Sequence, residues 1–246
     1  NQDVSLEIKN GDVWESLGST SIQHLSYNAL FKIENFNDSV TTPYRLSYTL
    51  KETGEKYYFE GSIKKNPVDK DTVIVAGFTG NHNLAKGVES SPFNWKEQIW
   101  YPHNQLVDHV KKQNPDLLFF SGDQIYERAS PSNVDRNNKN MDYMYKWYLW
   151  CWAYNNITKD LPTVTIPDDH DVFQGNVWGN GGGEIDKDTK GGYVHGIEFV
   201  KMVERTQVSH LPDPFDPAPI KGGIGVYYST LNLGRISFAI IEDRKF

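Results

Sequence analysis

The chain has 246 residues, enough for one large domain or for a small one followed by a medium one, and its 38% hydrophobic and 23% charged residues mark a core-forming, ordered protein. Lys and Arg number 25 against 32 Asp and Glu, a net charge of −7 that opposes tight binding to a phosphate backbone, so nucleic acid is not expected as the main partner. No stretch approaches the ~20 apolar residues of a membrane span, and one cysteine, Cys151, excludes an internal disulfide framework or a thiolate zinc site while leaving the redox compartment open.

Residues 1 to about 70 alternate apolar and polar positions in short runs: Val4 to Ile8, Ala29 to Ile33, Tyr44 to Leu50 and Tyr57 to Phe59. Period two, with turn signals at Asn10-Gly11 and Thr53-Gly54, predicts half-buried antiparallel strands and a small β-sandwich. Lys64 to Asp71 is charged and broken by Pro67, so it reads as a linker. The pattern then changes. Thr72 to Phe78 is a continuous apolar run, as expected of a strand buried on both faces. A helix is expected between Trp95 and Gln113, a buried strand over Leu117 to Phe120, a second helix over about Asn140 to Asn156, and a third strand over Thr163 to Ile166. Strand, helix, strand, helix, strand in this order predicts an α/β layered domain over residues 71–246 with a largely parallel sheet. A helix within Gly192 to His210 and a hairpin of Val226 to Leu233 with Arg235 to Ile241 complete the expected elements.

Each of the three expected strands of that sheet is followed by polar groups, and in open α/β sheets this is where ligands bind. The first edge offers Thr79-Gly80-Asn81-His82, the second Ser121-Gly122-Asp123-Gln124-Ile125-Tyr126-Glu127, the third Pro167-Asp168-Asp169-His170-Asp171. Asp123 and Tyr126, three apart, fit a turn that returns a hard carboxylate and a phenol to one point, suited to a trivalent cation. The alternative is a helix-capping Asp123 with Tyr126 in the core. The second cluster places three carboxylates around His170. Their repulsion costs free energy unless a cation or a charged imidazole offsets it, the alternative being an exposed charged turn. His170 is a candidate to protonate or stabilise a leaving oxygen, with Asp171 fixing its tautomer. Neither a Gly-x-Ser-x-Gly elbow nor a phosphate-binding glycine motif is present. Trp147, Tyr148, Trp150, Trp152 and Tyr154 share one helix, as core packing or as a sugar platform, and Gly179 to Gly183 reads as a lid or a loose insertion.

At Ser121 to Glu127, at Ile166 to Val172 and at Ile241-Glu242-Asp243-Arg244, the chain resembles the alkaline phosphatase D (PhoD-like) branch of the calcineurin-like metallophosphoesterases. The resemblance implies hydrolysis of phosphate mono- or diesters by a metal-held hydroxide. It implies two metal ions, one Fe(III) and the other Ca, Zn or another divalent ion. By residue it implies metal ligands at Asp123, Tyr126, Asp169 and Asn81, and substrate contacts at His170, His82 and Arg244. Gly80-Asn81 stands where relatives carry Ser-Cys. The resemblance further implies a periplasmic or secreted location, and ligands from sequence downstream of Phe246, so the chain alone is expected to be an incomplete enzyme. Two rival readings use the same residues: a silent relative binding glycans or a partner through the aromatic helix, and a metal-free glycosidase using Asp123 and Asp169.

Overall fold

The computed structural model describes residues 2–80, 103–127, 137–173, 183–186, 192–219 and 222–242. Four N-terminal strands, β1 (Asp3–Asn10), β2 (Val13–Ser21), β3 (Thr42–Thr49) and β4 (Lys56–Ile63), form one antiparallel sheet in the order β2-β1-β3-β4. β1, β3 and β4 arise where the period-two runs place them, β2 is a strand over Val13–Ser21 where no such run was expected, and Gly11 (φ 61°) and Gly54 (φ 73°) take the left-handed conformation that the turns require. The expected sandwich is corrected to a single sheet. Ala29 to Ile33, expected as a strand, is irregular, and among the described residues no second sheet is built from this N-terminal part.

This sheet is anchored to the rest of the chain by its β3–β4 side. The Tyr44 hydroxyl donates to the Lys159 carbonyl (3.1 Å), and Ser62 N and Oγ both donate to Asp160 Oδ1 (3.0 Å each). Gly61 lies so close that a Cβ there would sit 2.4 Å from the Lys159 oxygen. The segment read as a linker is also tied down. Lys64 and Lys70 both reach the buried Asp116 carboxylate (3.1 and 2.7 Å), which also accepts from Ile74 N.

The second sheet is parallel, with the order β5-β6-β7, built from β5 (Val75–Phe78), β6 (Leu117–Phe120) and β7 (Thr163–Thr165). Only β6 is central. The first strand, expected to be buried on both faces, is an edge strand that begins at Val75, and Ile74 and Val75 are exposed. Side chains of β6 alternate between two layers. Leu118 and Phe120 face the helices α1 (His103–Lys112), α2 (Lys139–Thr158) and α3 (Ile197–Gln207). Leu117 and Phe119 pack with Val164 against the hairpin β8 (Tyr227–Leu233) and β9 (Ile236–Glu242). The hairpin pairs antiparallel as expected, and the C-terminal half of β9 alternates exposed and buried positions, with Ile240 and Glu242 buried.

The aromatic helix is α2, and it lines the core. Phe120 stacks on Phe78 (centroids 4.3 Å apart), and Trp150 and Tyr154 meet Phe120 edge-on at 4.9 and 5.2 Å. Trp150 and Tyr154 are buried, while Tyr148 is 61% exposed. Trp150 and Tyr154 are thus core residues, and Trp147 and Trp152 are half-buried against the same core.

Candidate metal centre at the C-terminal edge of the parallel sheet

The ends of β6 and β7 lead straight into the two acidic motifs, and hydrogen bonds past the strand ends keep them side by side. Ser121 N donates to Phe78 O and Ile166 N donates to Phe120 O. Gly122 is required here. At φ 117° a Cβ would lie 2.4 Å from Asp168 Cβ, so only glycine lets the loop after β6 press against the loop after β7. Asp123 follows in the left-handed region (φ 56°), which Asp tolerates better than most residues.

The resulting turn aims Asp123 and Tyr126 at each other, with the Tyr126 hydroxyl donating to Asp123 Oδ2 at 3.0 Å. The other oxygen, Asp123 Oδ1, is buried and has no hydrogen-bond partner among the described residues. From the second loop come Asp169 and His170. One ligand atom from each of Asp123, Asp169 and His170 falls within 4.8 Å of the others. Burial raises the Asp123 carboxyl above its ordinary range, and burial together with the Asp123 charge raises the Tyr126 phenol. Both groups thus carry a desolvation penalty that a bound cation would relieve.

His170 has a different partner from the one expected. Its Nδ1 lies 2.8 Å from Glu127 Oε2, and this bond raises the imidazole to about 9. The Tyr126 ring packs beside it, centroids 4.6 Å apart. Asp171, predicted to fix the His170 tautomer, instead holds the two loops together. Its Oδ2 accepts from Asp123 N (2.8 Å) and Asp168 N (2.9 Å), and its Oδ1 accepts from Ile125 N (2.9 Å) and Gln207 Nε2 (2.9 Å). With four N–H donors on two oxygens and no exposure, the carboxylate is fully engaged away from the imidazole. Burial pushes Asp171 up to about 7 while these donors pull it down.

Two contributors carried no assigned role in the sequence reading. Glu127 closes the acidic motif and pairs with His170 across 43 residues. Gln207, at the end of α3, joins Asp171 to Gln124 (2.9 Å) and to the Tyr143 hydroxyl (3.1 Å), and no local motif marks it. Asn81, His82 and Arg244, the remaining expected site residues, lie outside the described residues, as do 179–182 of the glycine patch. Among the other histidines, His195 packs against Phe173 and Phe199, and His210 Nε2 meets the Thr163 carbonyl at 3.0 Å.

These elements define a layered α/β protein with a carboxylate–imidazole cluster at the C-terminal edge of a parallel sheet. Comparison with family models and with curated proteins returns no match. Among solved structures, the chain is similar to a purple acid phosphatase isolated from seeds of yellow lupin (Lupinus luteus), with a TM-score of 0.55 and 14% identity over 97% of this chain and 39% of that one. The likeness is one of fold, and this chain spans well under half of the length of its neighbour.

Proposed function

We propose that this chain carries the metal-binding core of a phosphoesterase of the PhoD-like type, hydrolysing phosphate mono- or diesters. The observation that carries the reading is the convergence of Asp123, Asp169 and His170 to within 4.8 Å, at the strand ends of a fold shared with a purple acid phosphatase. The donor set fits metal ions. It joins two hard carboxylates and a phenol beside an imidazole that stays available for proton transfer, and Asp123 Oδ1 is a buried acceptor with no protein donor among the described residues. Asp123 and Tyr126 would hold an Fe(III) ion, and Asp123 and Asp169 a divalent neighbour. Bound there, the cations supply Lewis acidity toward a phosphoryl group.

The chain's own contribution centres on His170. Glu127 keeps a proton on Nδ1, which leaves Nε2 as the nitrogen that would act on the departing ester oxygen. Glu127 sets the orientation of the ring, and Asp171 and Gln207 set the spacing of the two loops. A metal-free glycosidase is less well served. Carboxylates that flank a sugar ring stand about 5–9.5 Å apart, whereas oxygens of Asp123 and Asp169 fall within 4.8 Å of each other.

The test is elemental analysis of the purified protein, together with hydrolysis of p-nitrophenyl phosphate and bis(p-nitrophenyl) phosphate before and after chelation. Bound transition metal and chelator-sensitive cleavage of either ester support the reading. Metal-free protein whose activity resists chelation overturns it.

A further inference from the structure

Lys146 is fully buried in the middle of α2, where an ammonium is costly. Its Nζ lies 2.9 Å from Asp142 Oδ2 one turn earlier, donates to the Tyr126 carbonyl at 2.9 Å, and stands 5.0 Å from the centre of the Phe173 ring. It therefore touches both loops of the candidate centre, the first at Tyr126 and the second at Phe173. The chemistry around the first loop is two-sided. The Asp171 carboxylate takes the N–H groups of Asp123 and Ile125, and the Lys146 ammonium takes the C=O of Tyr126.

We propose that Lys146 is a positioning residue of the centre, fixing the peptide plane between Tyr126 and Glu127. That one plane governs two side chains. If it rotates, Tyr126 leaves Asp123 and Glu127 leaves His170. Stability alone does not account for the pair, because buried ion pairs exchanged for apolar residues of similar volume are commonly neutral or stabilising. The requirement for charge lies in the carbonyl that the ammonium holds, a contact that no apolar side chain reproduces. The role in turnover rests on the phosphoesterase reading; the role in ordering the loop does not.

The experiment uses the whole chain with both charges removed together, Lys146→Met with Asp142→Leu, beside the single Lys146→Met. The double variant keeps its melting temperature or gains. Amide hydrogen exchange across residues 123–127 accelerates at least tenfold, while exchange in the rest of α2 stays as in the parent. Mn²⁺ affinity, read by calorimetry, falls about 10–100-fold, the range for residues that orient metal ligands. Ester hydrolysis loses kcat with KM little changed. If the double variant folds with parental exchange at 123–127, the proposal is overturned. It is equally overturned if the double variant melts early and protection falls throughout the molecule, since the pair is then structural. A parent that neither binds Mn²⁺ nor cleaves esters refutes the phosphoesterase reading, while the exchange data still decide the role of Lys146.

Discussion

Replacing Asp171 by Asn keeps the shape of the side chain and halves its capacity to accept. The native carboxylate serves four donors, two on each oxygen. An Asn offers one carbonyl, enough for one pair, and turns its NH₂ toward the other two donors. Gln207 cannot rotate its amide to compensate. Its Oε1 already accepts from Gln124 Nε2, which in turn donates to the Ile166 carbonyl, so a flip at one position strands the next. The least costly arrangement keeps Asp123 N and Asp168 N bonded and strands Ile125 N and Gln207 Nε2. At about 1–3 kcal/mol for each buried unsatisfied donor, and with some relief from no longer burying a charge, Asp171→Asn costs about 2–4 kcal/mol. Urea unfolding at pH 8, above the value of about 7 to which burial pushes this carboxyl, measures it with the native group ionised. A loss under about 1 kcal/mol would falsify the four-donor account.

Other outcomes follow from the same geometry. Asp123→Asn, which tolerates the φ of 56° as Asp does, should fold and lose most of its bound metal in elemental analysis; parental metal content would end the assignment of Asp123 as a ligand. Tyr126→Phe should abolish any visible tyrosinate-to-Fe(III) absorption with little change in stability, and a colourless parent with full activity would exclude iron at that position. His170 is raised from 6.5 to about 9 chiefly by Glu127, so in chelated protein the pair stabilises fully below pH 6.5, and the gain fades as pH rises through 9. Both side chains are more than a quarter exposed, which limits the gain to about 1 kcal/mol, and Glu127→Gln should flatten this slope in melting curves from pH 6 to 10. Gly122→Ala, at φ 117° and with its Cβ 2.4 Å from Asp168 Cβ, should cost about 3 kcal/mol or more, with soluble yield and urea unfolding as the readouts; near-parental stability would contradict the close approach of the two loops.

Period-two runs, turn residues and apolar blocks were enough to place nearly every described strand and helix, because those signals act within a few residues of chain. The same holds for half of the candidate centre. Asp123 and Tyr126 are three apart, and Asp169 and His170 are adjacent, so the order of residues in one turn already brings each pair together. What covers an apolar run is a different kind of information. Thr72 to Phe78 reads as a strand buried on both faces and is an edge strand, since burial depends on the neighbours that the topology supplies. The N-terminal strands read as a sandwich and form one sheet, because alternation reports that one face is buried and not what buries it. The roles of Asp171, Glu127 and Gln207 were decided in the same way. Asp171 stands next to His170 in sequence yet serves amides 48 and 46 residues away, and the imidazole takes its carboxylate from Glu127, 43 residues away. Hydrogen bonds of that range form only after β6 and β7 pair in parallel and set their two loops against each other. Local sequence therefore determined which groups stand at the candidate centre after β6 and β7, and the packing of the sheet and helices decided which group holds which.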